Sequence, residues 1–339
     1  MNVLIFFLLL SAFPRVSTFS TASTASDGPQ DLRTIIHWEG FDRLYLVHLP
    51  PKTQPGKKIP VLMMLHGRGA SAESARNDFG WAEKADKEGF IVVFPQALPF
   101  DPMRAPGTGL PDDFIRYWRF TTNDAIWWTS GLNLHYPYIA NPRYKRVVHP
   151  LDTPFLVAVL HQVIQRYGAD PCRVFVVGFS NGGSMVSDLA RAVPNEITGA
   201  AIVGWVGPGR PKALAYPVSV FISIGTDDHF GRPSQADWDS MPAIVKKEWY
   251  GQETLPTLDE DVDAWGRVDQ CKRRETTSVP WGQQTDWSDC LKGARVRGLS
   301  IDHLGHEWPG KPSRWNQAHP TPISLSLTDA VWTFLRTTP

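Results

Sequence analysis

The chain of 339 residues is poor in cysteine, with only Cys172, Cys271 and Cys290, too few for the dense disulfide framework that holds together small scaffolds without a core. It has no excess of either charge, 34 basic residues against 34 acidic ones, and no long single-sign run, so nothing steers it toward nucleic acid or an anionic membrane. No Cys-His cluster has metal-ligand spacing, no glycine-rich phosphate loop occurs, and no metal or organic cofactor is implied. The N-terminal apolar run from Val3 to Leu10, extending to Phe13, is too short for a bilayer, where about 20 residues are needed. That excludes a stable anchor there. Followed by Ser, Thr and Ala up to Ser26, the run has the shape of a secretory signal peptide over residues 1–26, although no Lys or Arg precedes it. In the oxidising compartment that such a leader implies, two cysteines are expected to pair. Cys271 and Cys290 are the natural couple, because they bracket a Trp- and polar-rich segment without regular periodicity, where a covalent clip would replace a missing core. Cys172 is expected to be a buried free thiol.

What is present in quantity is apolar surface, 42% of the residues, enough to bury a large core. Short apolar runs alternate with helical patterns. Arg33–His37 and Arg43–His48 predict two strands joined through Gly40, and Val61–Leu65 and Phe90–Phe94 predict strands buried on both faces. A helix is expected over Trp81–Lys87. Another should start near Pro154, capped by Asp152 or Thr153, and run to Tyr167. Arg173–Val177 is a further strand, followed by a helix over Gly183–Ala192, strands at Ala200–Val203, Val218–Ile224 and Arg295–Ile301, and a closing amphipathic helix over Ser324–Arg336. Strands alternating with helices predict a mostly parallel central sheet with helices on both faces, in one catalytic domain over residues 27–339. Two stretches interrupt the pattern, about 98–150 and 230–292, and are expected to be irregular insertions. The first lies over the C-terminal edge of the sheet, where α/β proteins bind ligands. Fourteen tryptophans, several in these stretches, are expected either to grip a sugar, a phenolic acid or a polymer surface, or to pack under the loops.

The chemistry centres on Gly178-Phe179-Ser180-Asn181-Gly182, a G-x-S-x-G sequence between a strand and a helix, the context of a nucleophile elbow. Ser180 is the candidate nucleophile. Attack by a hydroxyl on an acyl carbon needs a base, a group to orient the base, and donors for the oxyanion. Ile224-Gly225-Thr226-Asp227-Asp228 follows a late strand and offers the acid, with the residues themselves leaving Asp227 and Asp228 equivalent. The segment after the last strand offers His303 or His306, of which His306 is favoured because Gly305 before it permits a sharp loop. For the oxyanion, backbone N–H groups of Asn181 and of the His66-Gly67-Arg68 loop near Arg68 are the candidates. The Arg68 side chain itself is expected to be solvated.

Together these segments resemble the secreted polyhydroxybutyrate depolymerase and feruloyl esterase group of α/β hydrolases, LpqC-like and related to carbohydrate esterase family one. The resemblance rests on Tyr45-Leu46-Val47-His48-Leu49-Pro50, Leu65-His66-Gly67-Arg68-Gly69, Gly89 to Pro95, Asp170 to Val174, Gly178 to Gly183, Gly225-Thr226-Asp227-Asp228 and Gly305-His306-Glu307-Trp308-Pro309-Gly310. It implies an α/β-hydrolase fold and a secreted serine esterase without cofactor. By position it implies Ser180, Asp228 and His306 as the catalytic three, and a cysteine pair matching Cys271 and Cys290. Ile224 stands where the group usually has His, and 98–150 is longer and richer in Trp and Tyr; both departures fall where substrate is chosen. The implied substrate is a phenolic-polysaccharide ester or a hydroxyalkanoate polyester. The alternatives are a peptidase or thioesterase with the same triad, or a non-catalytic glycan- or wall-binding protein on the same scaffold.

Overall fold

The computed structural model describes residues 28–51, 58–100, 124–128, 138–141, 145–148, 152–207, 216–243, 246, 254–310 and 324–339. The expected leader, Trp118 and Tyr136-Pro137 lie outside them.

Strands β1 (Gln30–Trp38) and β2 (Phe41–Leu49) form the N-terminal antiparallel hairpin. The parallel strands are β3 (Val61–Leu65), β4 (Ile91–Pro95), β9 (Val174–Phe179), β10 (Gly199–Val203), β11 (Ser219–Gly225) and β14 (Val296–Ile301). With the hairpin β12 (Arg273–Val279) and β13 (Gly282–Ser288) they make a ten-stranded sheet in the order β1-β2-β4-β3-β9-β10-β11-β14-β13-β12. The parallel strands β3, β4, β9, β10 and β11 are buried along their whole length, which is why they appear in the sequence as unbroken apolar runs rather than alternating ones. Small two-stranded pairs join β5 (Pro99–Phe100) to β6 (Asp124–Ala125) and β7 (Tyr138–Asn141) to β8 (Lys145–Val148).

The period of two along β3 divides the core. Val61, Met63 and Leu65 face one layer, with Phe155, Leu156, Val159, Met185, Leu189, Val262 and Trp265, whereas Leu62 and Met64 face the other, with Ala75, Trp81, Val331 and Trp332. The first layer is built by helices α3 (Asp152–Tyr167), α4 (Asn181–Ala192) and α6 (Leu258–Val268). The second is built by α1 (Ala72–Asp78), α2 (Trp81–Glu88) and α7 (Leu327–Leu335). A short helix α5 (Gln235–Ser240) buries Trp238 in the first layer. This is the α/β-hydrolase fold.

Two expectations are corrected, the irregularity of 230–292 and the burial of Cys172. Residues 230–292 are not irregular: they hold α5, α6 and the β12–β13 hairpin, which extends the central sheet. Strand β12 is an edge strand, exposed along nearly all its length, so Arg273-Arg274-Glu275-Thr276-Thr277-Ser278 lacks the apolar alternation that marks a half-buried strand. The disulfide Cys271–Cys290 ties the two ends of this hairpin. Cys172 is free but exposed rather than buried, because it belongs to the turn before β9 and not to the strand. Finally, none of the eleven described tryptophans is exposed; Trp81, Trp127, Trp128, Trp205, Trp238, Trp265, Trp308 and Trp332 are buried in the core layers.

Candidate active site

Parallel strands end together at one edge of the sheet. Leu65 is level with Gly178, Phe179 with Val203, Val203 with Ser223, and Gly225 with Ile301. The loops leaving β3, β9, β10, β11 and β14 therefore converge, and they carry Arg68, Ser180, Gly204, Asp228 and His306 respectively.

Ser180 has φ 57° and ψ −122°, a conformation that ordinarily costs a non-glycine residue about 1–3 kcal/mol and persists only where its surroundings enforce it. Here they do. Its N–H donates to the carbonyl of Val203 (2.8 Å) and its own carbonyl accepts from Ser184 N–H (3.0 Å), locking the turn between β9 and α4. The flanking glycines are required by backbone approach: a β-carbon on Gly178 would overlap the carbonyl of Gly182, and one on Gly182 would overlap that of Leu65 and lie 2.6 Å from that of His66.

His306 Nδ1 lies 2.9 Å from both Oδ1 and Oδ2 of Asp228. Asp228 is buried and also accepts N–H bonds from Phe230 (3.1 Å) and Gly231 (2.7 Å). With Nδ1–H donated to the carboxylate, Nε2 is left as the acceptor of a proton. The imidazole rests on the ring of Phe179, the residue before Ser180, at a centroid distance of 4.7 Å, and Phe230 stands 5.5 Å from it. The alternatives are out of place. His303 is 91% exposed and 3.9 Å from the exposed Asp227; its backbone N–H donates to Thr226 Oγ1 (2.8 Å). The reason given for His306 needs correction, however. Gly305 has open space around it and an unremarkable φ, while the left-handed position in this loop is His303, at φ 57°.

The β3 loop is held against the elbow. A β-carbon placed on Gly67 would be 3.3 Å from Ser180 Cβ. His66 is fully buried, donates from Nδ1 to the carbonyl of Gly67 (2.7 Å) and accepts at Nε2 from Ala97 N–H (3.1 Å), and burial pushes its pKa down to about 4. It is thus a neutral, fixed tautomer that shapes the loop. The Arg68 side chain is partly exposed and lies 3.8 Å from Asp124 on β6, rather than being simply solvated.

Residues that sequence reasoning missed complete the arrangement. Asn181 Oδ1 accepts from Trp127 N–H (2.7 Å) and its Nδ2 donates to the Trp127 carbonyl (3.2 Å), while Trp127 Nε1 donates to the His66 carbonyl (2.8 Å). Next to it, Trp128 N–H donates to Asp152 Oδ2 (2.6 Å), and Asp152 Oδ1 pairs with Arg43 Nη2 (2.6 Å), both side chains fully buried. Asp152 is the first residue of α3 rather than its cap, and its carboxylate is turned to Arg43 and Trp128. The Trp-Trp pair is the visible signal; that it straps the loop after β3 is not, since the partners are 54 and 61 residues away.

No protein-family model matches the chain. It is 27% identical over 312 residues to NocK of Nocardia uniformis subsp. tsuyamanensis, a provisionally named esterase, covering 87% of this chain and 80% of that one. It is 24% identical over 271 residues to the bifunctional acetylxylan esterase/xylanase XynS20E of Neocallimastix patriciarum, covering 79% of this chain but only 31% of that enzyme. The solved structure of an acetyl xylan esterase from Aspergillus awamori superposes with a TM-score of 0.51 at 14% identity, over 91% of this chain and 99% of that one, a likeness of fold. The chain is thus similar in sequence to esterases and has the α/β-hydrolase fold.

Proposed function

We propose that this protein is a secreted serine esterase that cleaves acyl esters of polysaccharides through an acyl-enzyme, with Ser180 as nucleophile, His306 as general acid/base and Asp228 as the group that orients it. The observation that carries the reading is the pairing of His306 Nδ1 with both oxygens of the buried Asp228 carboxylate, 2.9 Å each, on the loop facing the strained Ser180 turn. Names of relatives supply the acyl class: an acetylxylan esterase/xylanase is among them. The catalytic unit occupies residues 27–339 behind a leader in 1–26.

His306 Nε2 takes the Ser180 hydroxyl proton as Oγ attacks the ester carbon, and the imidazolium so formed is held by Asp228. The carbonyl oxygen becomes an oxyanion, which accepts from the backbone N–H groups of Asn181 and Arg68. Asn181 opens α4, so its N–H is one that the helix itself does not use. His306 then gives the proton to the leaving alkoxide, releasing the alcohol. Water repeats the sequence on the acyl-enzyme, deprotonated by the same imidazole, and returns Ser180 and the free acid.

The test is hydrolysis of acetylated xylo-oligosaccharide and of methyl ferulate by the purified mature protein, beside a hydroxybutyrate oligomer and with Ser180→Ala as control. Release of acid from a saccharide ester by the native protein and its loss in a folded Ser180→Ala protein is expected. Undiminished turnover by that variant would refute the mechanism, and cleavage of the oligomer alone would move the substrate to polyesters.

A further inference from the structure

Phe230 is the most exposed large apolar side chain among the described residues, at 69%, and it stands against the candidate base. A lone exposed apolar residue carries no message by itself, but this one is not exposed because its loop is loose. Its own N–H and that of Gly231 are bonded to Asp228 Oδ1, Arg232 N–H donates to the Asp228 carbonyl (3.3 Å), and the Gly231 carbonyl accepts from Val206 N–H (3.1 Å). The backbone is pinned on both sides while the ring projects into solvent. The imidazole of His306 thus has two phenyl rings of opposite exposure beside it, Phe179 at 4.7 Å and 7% exposed, and Phe230 at 5.5 Å and open.

On the serine-esterase reading, the two halves of an ester have different neighbours. The acyl carbon and oxyanion lie toward Ser180, Asn181 and the Gly67 loop. The leaving oxygen must lie at His306 Nε2, because that atom hands it a proton, and the group it carries continues past the imidazole on the side away from the elbow. The open ring beside the imidazole is Phe230. We propose that Phe230 is a binding platform for the alcohol half of the ester, and that it takes a sugar ring by its C–H face against the phenyl ring. An aromatic platform recognises an apolar flat surface without requiring a fixed hydrogen-bond pattern, so it suits sugar units that differ in where the acyl group is attached.

The inference rests on the esterase reading, and the experiment separates the two. The native protein and Phe230→Ala and Phe230→Trp variants are compared on two esters with the same acyl group, acetylated xylobiose and ethyl acetate, with thermal melting to establish folding. For Phe230→Ala the ratio of kcat/KM for the sugar ester to that for ethyl acetate is expected to fall about tenfold, mostly through KM, a size typical of one aromatic contact. Phe230→Trp is expected to hold the ratio or raise it. An unchanged ratio in Phe230→Ala, whether both rates fall together or neither falls, overturns the platform. So does a native protein that cleaves ethyl acetate and leaves the sugar ester intact. Loss of the esterase reading itself would show differently, as equal rates for the native protein and Ser180→Ala.

Discussion

A β-carbon on Gly225 would overlap the carbonyl oxygen of Leu304: the loop carrying Asp228 and the loop carrying His306 cross where a side chain is missing. Around that point Thr226 N–H donates to the Ile301 carbonyl (2.9 Å) and Asp227 N–H to the Leu304 carbonyl (3.1 Å). The pairing of Asp228 with His306 is therefore set by backbone approach between β11 and β14, before either side chain is considered. Gly225→Ala is expected to push the loops apart, lowering stability by about 2–4 kcal/mol and kcat by more than tenfold. Urea unfolding together with steady-state kinetics on a soluble ester checks both.

The two adjacent acids give a sharper contrast. Asp228→Asn keeps the shape but offers His306 a mixed donor and acceptor, so the imidazole can adopt the wrong tautomer; a fall in kcat of roughly 10³–10⁴ is expected. Asp227→Asn, at an exposed side chain, should leave kcat within about twofold, as surface changes ordinarily do. Equal loss in both variants would remove Asp228 from its role.

Asn181 should act through its side chain as well as its amide. Asn181→Ala retains the N–H but releases the two bonds to Trp127, and with them the strap on the His66 carbonyl. A fall in kcat of about 10²-fold with KM nearly unchanged is expected, the size that follows from a small misplacement of an oxyanion donor. Stopped-flow measurement of acylation would locate the loss in the chemical steps.

Further along that strap, Asp152→Ala would leave the fully buried Arg43 guanidinium without its carboxylate. Breaking such a pair typically costs about 3–5 kcal/mol. Phe155, whose ring lies 3.8 Å from the guanidinium carbon, cannot replace a carboxylate, so chemical unfolding should register the loss.

Asp269 makes stability depend on pH. Burial raises its pKa from 3.8 to about 7; among the described residues Oδ2 has no partner and Oδ1 accepts a long bond from Val218 N–H (3.4 Å). Between those two values the unfolded chain releases the proton and the folded chain retains it. This group's contribution is therefore intact below about pH 4 and is lost as pH rises toward 7. His66 works oppositely, since its pKa is lowered from 6.5 to about 4, and Asp261, also raised to about 7 by desolvation, works in the same direction as Asp269, so the native profile blends all three. The difference between Asp269→Asn and the native protein isolates one of them. In melts at a series of pH values, the variant is expected to gain on the native protein as pH rises from 4 to 7, and to gain nothing further above that.

Much of the molecule is legible along the chain because its determinants are local. Unbroken apolar runs such as Val61–Leu65 mark strands buried on both faces, and the glycines around Ser180 mark a turn too tight for side chains. Helix α6 carried a local mark that the sequence reading passed over, the capping box of Thr257 and Glu260 in Thr257-Leu258-Asp259-Glu260, because its surroundings are polar. Strand β12 had no such mark: an edge strand exposed along its length carries no apolar period.

The sequence by itself determined the buried parallel strands, the elbow and the order in which Ser180, the Asp227-Asp228 pair and the His303–His306 loop arrive, because strand burial and turn sterics depend on neighbours a few residues apart. The resemblance singled out Asp228 and His306 by position, whereas the residues read alone left Asp227 and Asp228 equivalent; the tertiary structure set the contact itself, with His306 2.9 Å from Asp228 while His303 and Asp227 stay exposed. The tertiary structure also decided that the described tryptophans pack inward while Phe230 stays open. Those contacts join residues tens of positions apart, such as the 78 that separate Asp228 from His306, and strand periodicity and turn sterics do not encode them.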